Sequence, residues 1–332
     1  MSELLAVDIG HGFTKAVVPS AQPLVIPSVV GPAEAVRFES DLSQDGRGIC
    51  LEVDGRSYFI GEQALLQSAS TSQTLDPTRT GSVEQKTLFY AVASELVKTT
   101  TSVVTVLTGL PVGDFDDRNK ALLRDMLRGE HTVRRQGKHT RTFTVKAVHI
   151  LPQGVGSLYA LVLDRRGQVR NIDLAGGRVG IVDVGTLTTN YILADRLRYV
   201  EAGSVSIPSG MSEFLVKVAK DLKREHGLDW TLQLSRVDEA VRARSVELFG
   251  ETVKISDLVQ PHLDALADTV ISKARSLWGS GTELRAVVLS GGGSVELAPY
   301  FQRVYRHVRS GSDTPQLDNV TGYLLAGLRR YG

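Results

Sequence analysis

Leu4-Leu5-Ala6-Val7-Asp8-Ile9-Gly10-His11-Gly12-Phe13-Thr14-Lys15-Ala16-Val17-Val18 decides how this chain is read. An apolar run ends at Asp8, a Gly-x-Gly turn follows, and Thr14 and Lys15 open a second apolar run. The pattern predicts strand, tight turn, strand. Glycines let the backbone N–H groups of such a turn face outward and approach a ligand closely. A hydroxyl and an ammonium on the far side of the turn suit an anion such as phosphate. Asp8, at the end of the buried strand, is placed to hold the water shell of a magnesium ion. A Gly-rich hairpin is also a common plain turn, so the reading needs a second signal.

That signal is Gly180-Ile181-Val182-Asp183-Val184-Gly185-Thr186-Leu187-Thr188-Thr189-Asn190-Tyr191-Ile192-Leu193. It repeats the design: apolar strand, Asp, apolar residue, Gly, hydroxyl residues, second strand. Asp8 and Asp183 stand about half the chain length apart. Two related phosphate hairpins, one in each half, point to a duplicated domain gripping a nucleotide's phosphates from both sides.

Composition agrees. The 332 residues exceed the usual size of one domain, so two lobes are expected, each with its own core. The apolar fraction of 42% and charged fraction of 23% are those of a globular protein. A net charge of +1 argues against a basic nucleic-acid surface at chain level. Cys50 is the only cysteine, which excludes an internal disulfide and a thiolate metal cluster and fits a reducing cytoplasm. No run approaches the roughly 20 apolar residues of a membrane span, and no signal-peptide pattern opens the chain.

Between the two hairpins, Pro19, Pro23, Pro27 and Pro32 mark an extended connection. Strand signals over residues 38–60 include a hairpin turning at Asp54-Gly55. A Ser/Thr/Pro-rich loop follows over 68–80, then a helix over 83–99, a strand at Val103–Leu107 and a helix over 114–127. Arg134, Arg135, Lys138, His139 and Arg141 form a basic run, read first as a hydrated hairpin tip and second as a nucleic-acid contact. A strand over 143–150 ends at Pro152, where a small-residue helix begins. Gln153 sits at that junction, where α/β proteins place chemistry. A neutral amide there can orient a water, although a helix-start residue facing solvent is the plainer reading.

After the second hairpin come a strand over 197–205 and a helix with Ser209 as N-cap. A shorter helix centred on Val237–Ala243 follows, then a long helix over 256–278. The strand Leu284–Leu289 runs into Ser290-Gly291-Gly292-Gly293-Ser294. Three glycines there leave a flat surface onto which a planar ring can pack. A helix over 297–308 and a terminal apolar helix from Asn319 close the chain.

Five blocks, in this order, resemble the actin-type ATPase superfamily: Asp8–Lys15, Leu151–Leu161, Asp183–Thr188, Val288–Ser294 and Asn319–Gly327. Asp8–Lys15 and Asn319-Val320-Thr321-Gly322-Tyr323 look closer to ParM-type plasmid-segregation actins and their archaeal relatives. The resemblance implies an α/β fold of duplicated, ribonuclease H-like domains around a central nucleotide cleft. Domain I would span 1–153, with a small β-rich insertion at about 20–80 and the helix 319–332 closing it. Domain II would span 154–318, with a helical insertion at about 208–278.

The resemblance also assigns roles. Backbone amides of Gly10, His11, Gly12 and Phe13 hold the terminal phosphates, with Thr14 and Lys15 beside them. Asp8 and Asp183 hold Mg2+ through water. Gly185, Thr186 and Thr188 bind phosphates from the second lobe, and Gly210 lines the cleft. Gly291, Gly292, Gly293 and Ser294 pack on base and ribose. Gln153 orients the attacking water; some ParM relatives are expected to carry Glu there, so hydrolysis is expected to be slow. ATP or GTP is the substrate, and no residue decides between them.

The implied function is a cytoplasmic, filament-forming ATPase that assembles head to tail and segregates plasmid DNA through a DNA-binding adaptor. Direct contact with membrane or nucleic acid is not expected. Two alternatives remain. One is a non-polymerising ATP-binding scaffold of the pilus-platform type. The other is a sugar or small-acid kinase of the same superfamily, with Asp114, Asp116 and Asp117 the only obvious base cluster, more simply read as a helix start.

Overall fold

The computed structural model describes residues 2–34, 48–68, 71–73, 80–97, 102–136, 140–229 and 231–332. Strand signals before residue 48, most of the Ser/Thr/Pro-rich loop, and residues 138–139 of the basic run lie outside these. Contacts divide the chain into two compact units, residues 1–175 with 316–332, and residues 176–315.

Unit 1 opens with β1 (Glu3–Ile9), β2 (Phe13–Val17), β3 (Leu24–Pro27) and β4 (Val29–Pro32). The hairpin β5 (Ile49–Val53) and β6 (Arg56–Ile60) follows, turning at Asp54-Gly55 as expected, with both residues at positive φ. Then come α1 (Glu62–Gln67), β7 (Ser72–Gln73), α2 (Val83–Leu96), β8 (Ser102–Leu110) and α3 (Asp117–Leu127). β9 (Gly129–Arg135), β10 (Arg141–Pro152), α4 (Val155–Val162) and α5 (Ile172–Gly176) reach the boundary. The strands order as β3-β2-β1-β8-β10-β9-β5-β6-β4-β7. The proline-bearing connection over 19–32 is thus two short strands, with Pro27 and Pro32 at strand ends, where a missing N–H is tolerated.

Unit 2 holds β11 (Arg178–Val184), β12 (Thr189–Asp195), β13 (Arg198–Ile207), α6 (Met211–His226) and α7 (Leu234–Ala243). A separate hairpin, β14 (Ser245–Leu248) and β15 (Glu251–Lys254), precedes α8 (Ser256–Trp278). β16 (Ala286–Ser290), α9 (Ser294–Val304) and β17 (Val308–Ser310) complete it. The final helix, α10 (Asp318–Tyr331), belongs to unit 1.

The duplication is visible strand by strand. β3-β2-β1-β8-β10 pair antiparallel, antiparallel, parallel, parallel. β13-β12-β11-β16-β17 repeat that order and those senses. Each first strand is buried on both faces, which is why it reads as a near-continuous apolar run. On β1, Leu5, Val7 and Ile9 join the core containing Leu88, Phe89 and Val92 of α2. Leu4 and Ala6 face Val320, Tyr323 and Leu324 of α10. Strand alternation puts Asp8 on that second face. On β11, Val182 and Val184 enter the core with Met211, Phe214 and Val218 of α6, and alternation turns Asp183 to the other side.

Of the basic run, Arg134 and Arg135 end β9 and Arg141 opens its antiparallel neighbour β10. Arg134 pairs with Glu52 at 3.4 Å, and the buried Arg135 pairs with Glu95 of α2. His131, also on β9, is buried against Tyr90. Its Nε2 lies 2.8 Å from the Leu127 carbonyl, which can only accept, so Nε2 carries the proton and Nδ1 accepts from the Tyr90 hydroxyl at 3.0 Å. Burial holds its pKa below the ordinary 6.5, against the opposing pull of the Leu127 carbonyl. Below pH 6.5 the unfolded chain therefore takes up a proton that the folded one resists, and stability falls with pH. The expected result is a urea midpoint that drops between pH 7.5 and 5.5, and drops less in His131→Phe, followed by circular dichroism.

Candidate nucleotide-binding loops

In unit 1, β1 and β2 register Asp8 opposite Lys15 and Ile9 opposite Thr14. Asp8 is 3% exposed. Its Oδ2 takes Lys15 Nζ at 3.2 Å and its Oδ1 takes Gln153 Nε2 at 3.1 Å. A buried carboxylate is costly unless it is paired and hydrogen-bonded, and both conditions are met here. Gln153 is itself placed by its backbone N–H, which donates to the Leu110 carbonyl at 2.7 Å. Next to it, the Gly154 N–H donates to Asn319 Oδ1 at 2.8 Å, so a side chain of α10 caps α4. α4 and α10 cross where a Cβ on Gly156 would lie 2.5 Å from the Asn319 carbonyl and one on Gly322 would strike the Gly156 carbonyl.

The turn between β1 and β2 closes with Gly10 N–H donating to the Phe13 carbonyl at 3.1 Å. Ser28, buried in the segment between β3 and β4, braces it from behind. Its hydroxyl donates to the Gly10 carbonyl at 2.7 Å, and its N–H donates to the Gly12 carbonyl at 2.9 Å. In a trans peptide the N–H points opposite to the C=O of the same plane. Tying back the carbonyls of Gly10 and Gly12 therefore turns the amides of His11 and Phe13 to the other side of the turn. Thr14, expected beside the anion, is fully buried, with its hydroxyl on Ser28 at 2.8 Å.

Unit 2 uses the same turn with a different brace. Gly185 N–H donates to the Thr188 carbonyl at 2.9 Å. The carbonyls of Gly185 and Thr186 accept from the first N–H groups of α6, Met211 at 3.0 Å and Ser212 at 2.7 Å. Two of the four otherwise unbonded amides of that helix start are satisfied this way. The amides of Thr186 and Leu187 turn outward by the same peptide geometry. Gly210 is the N-cap residue, in extended conformation with no side-chain cap bond; the expected cap, Ser209, instead gives its carbonyl to the Thr189 hydroxyl at 2.6 Å. A Cβ on Gly210 would lie 2.7 Å from the Thr186 carbonyl.

Asp183 is 5% exposed, and its Oδ1 accepts from the Ser290 hydroxyl at 3.2 Å. Gly291, at φ +81°, passes so close that a Cβ would lie 2.6 Å from that same oxygen. Gly293 N–H donates to the Val184 carbonyl at 3.1 Å, locking the glycine run against β11. Ser294 is buried, with its hydroxyl on the Gly291 carbonyl at 2.8 Å, so it serves the helix start of α9. Gly292 is the half-buried glycine of the run, and the guanidinium of Arg242 donates to its carbonyl at 3.4 Å.

Unit 1 thus gathers Asp8, Gly10, His11, Gly12, Phe13, Lys15 and Gln153 around one turn. Unit 2 gathers Asp183, Gly185, Thr186, Thr188, Gly210 and Gly291–Ser294 around another. Sequence reasoning missed Ser28, the Asn319 cap, the amide of Leu187 and Arg242. Among the described residues no group of three His, Cys, Asp or Glu side chains could ligate a metal directly. A single buried carboxylate on each turn, hydrogen-bonded by its neighbours, fits a cation that keeps its water shell, as Mg2+ does.

Two turns of one geometry, each two residues after a buried Asp on sheets that share a five-strand order, meet their counterparts in known families. Residues 6–156 match the N-terminal domain of actin-like proteins, and residues 181–303 match the C-terminal domain of archaeal MreB-like actin homologues. The chain belongs to the actin-like proteins. No curated protein matches it in sequence. Among solved structures it is similar to a non-polymerisable quadruple mutant of pCBH ParM, at 20% identity and a TM-score of 0.83 over 98% of this chain and 99% of that one. An archaeal actin homologue in complex with ADP gives 20%, 0.81, 98% and 99%. A 15-stranded ParM filament from Clostridium botulinum gives 20%, 0.81, 97% and 98%. At that identity the structures establish the actin-like fold. No helix among the described residues is long and apolar enough to cross a membrane.

Proposed function

We propose that this actin-like protein is a nucleotide-driven, filament-forming ATPase that moves plasmid DNA through an adaptor. The observation that carries the reading is the pair of braced turns, each presenting outward amides three to five residues after a buried Asp. Amides of His11 and Phe13 with Lys15 suit one part of a triphosphate, and amides of Thr186 and Leu187 suit another. Asp8 and Asp183 would hold the waters of Mg2+, which when bound neutralises charge on the phosphate oxygens. Gln153 donates to Asp8 through Nε2, and its Oε1 is the atom suited to accept from an attacking water. Binding and release of the terminal phosphate would then switch assembly on and off.

Light scattering and electron microscopy with Mg2+ and ATP or GTP test the reading. Filaments are expected with at least one triphosphate; none at high protein concentration with either would remove it. A monomer with tightly bound ATP would favour the scaffold reading. Of the kinase reading's base cluster, Asp116 caps α3 through the Asn119 N–H at 2.8 Å and Asp117 pairs with Lys120 in the first turn, which leaves Asp114 as its candidate base.

Gln153→Ala is expected to slow single-turnover phosphate release about a hundredfold, as loss of positioning does. Affinity for a fluorescent nucleotide should stay within a few-fold. Parallel loss of both would place Gln153 in binding alone.

A further inference from the structure

The β14–β15 hairpin ends in a side chain that its own unit does not use. Phe249 is 87% exposed, more than any other large apolar residue among those described. It also sits at φ +53°, followed by Gly250 at φ +81°. A two-residue turn of that hand favours Asn or Asp before Gly, because a bulky side chain is disfavoured in the left-handed region. Asn would relieve both the backbone and the wet aromatic ring. Glu247 and Glu251, both exposed, flank the tip.

Unit 1 carries a surface of opposite charge. In the turn between α4 and α5, the Asp164 carboxylate accepts the N–H groups of Arg166 and Gln168, each at 2.8 Å. Gly167 packs on the backbone of Arg329, whose guanidinium donates to the Gly167 carbonyl at 3.2 Å. This seats the turn on the last turn of α10 and gathers Arg165, Arg166, Arg170, Arg329 and Arg330, all exposed. Two exposed apolar side chains lie on the same segments, Ile172 at 77% and Tyr331 at 41%. Arg and Tyr are among the residues enriched at interfaces and their hot spots.

We propose that the hairpin tip of one copy docks on the arginine patch of a second copy. Phe249 packs on guanidinium planes and Ile172, while Glu247 and Glu251 face the arginines. Tip and patch are different surfaces, so the contact is heterologous and can repeat without closing. The proposal rests on the filament reading and supplies one of its contacts.

Sedimentation with Mg2+ and nucleotide gives the critical concentration, and nucleotide titration shows that each variant still binds. Phe249→Ala, the pair Glu247→Arg with Glu251→Arg, and the pair Arg165→Glu with Arg166→Glu should each raise the critical concentration about tenfold or more. The two charge reversals combined in one chain should recover assembly. If the unsubstituted chain assembles and the Phe249 and glutamate variants assemble equally well, the contact is wrong and the filament reading stands. The same holds if the arginine reversal abolishes binding of duplex DNA while leaving assembly intact. If the unsubstituted chain never assembles, both fall.

Discussion

Gly322→Val is expected to prevent unit 1 from folding stably, by about 3 kcal/mol or more. A Cβ at Gly322 would overlap the carbonyl of Gly156, and a Cβ at Gly156 would lie within 2.7 Å of Tyr323. Both obstacles are backbone or fully buried side chain, so neither can swing aside. Separating α4 from α10 would also break the bond from Gly154 N–H to Asn319 and shift Gln153 at the head of α4. Gly176→Ala is the control: a Cβ there meets nothing within 4 Å. Urea midpoints of the two variants and the parent check this. A midpoint for Gly322→Val equal to that of Gly176→Ala would show that the helices can part at little cost.

The second large effect concerns the paired aspartates. Asp8→Ala and Asp183→Ala should each reduce nucleotide turnover about 10²–10³-fold, the usual loss when a group stabilising transition-state charge is removed. Their structural consequences differ. Removing the Asp8 carboxylate leaves Lys15, with a side chain 15% exposed, without its ion-pair partner, and Gln153 Nε2 without its acceptor. Asp183 accepts from the neutral Ser290 hydroxyl, which its loss leaves without that acceptor. Asp8→Asn keeps the shape, and comparing it with Asp8→Ala separates packing from charge. The check is steady-state phosphate release with circular dichroism of each variant. Full turnover in the doubly substituted chain would overturn the nucleotide reading.

The duplicated plan was legible because it is written in local patterns. Buried first strands read as apolar runs ending in Asp, and each turn begins with a glycine whose conformation is fixed within four residues. Long helices such as α8 also showed their spacing, and α8 runs on through Pro261. What escaped depends on distant partners. Ser28 braces Gly10 from 18 residues away, and Asn319 caps Gly154 from 165 residues away. Nothing beside either residue signals that bond. Ser209 looked like a cap by residue type, but the loop carbonyls occupy the helix start and leave room only for Gly210. The β14–β15 hairpin was missed because its strands are four residues each and its turn is Phe-Gly, without the usual Asn or Asp. Thr14 suited an anion by its hydroxyl and Ser294 was placed at the ligand by the resemblance, whereas both hydroxyls bond inside their own units.

The unlike braces of the two turns have a mechanical consequence. Ser28 ties the first turn to the link between two short strands of the sheet, β3 and β4. The second turn is bolted to the root of α6, a rod of 16 residues, about 24 Å long by its rise. A tilt of roughly ten degrees at Gly185 and Thr186 would swing the far end near Gly227 by about 4 Å on that length. On the proposed reading, a phosphate arriving or leaving at this turn would have a lever arm built in, and the displacement it could drive would be greatest at the end of the rod farthest from the turn.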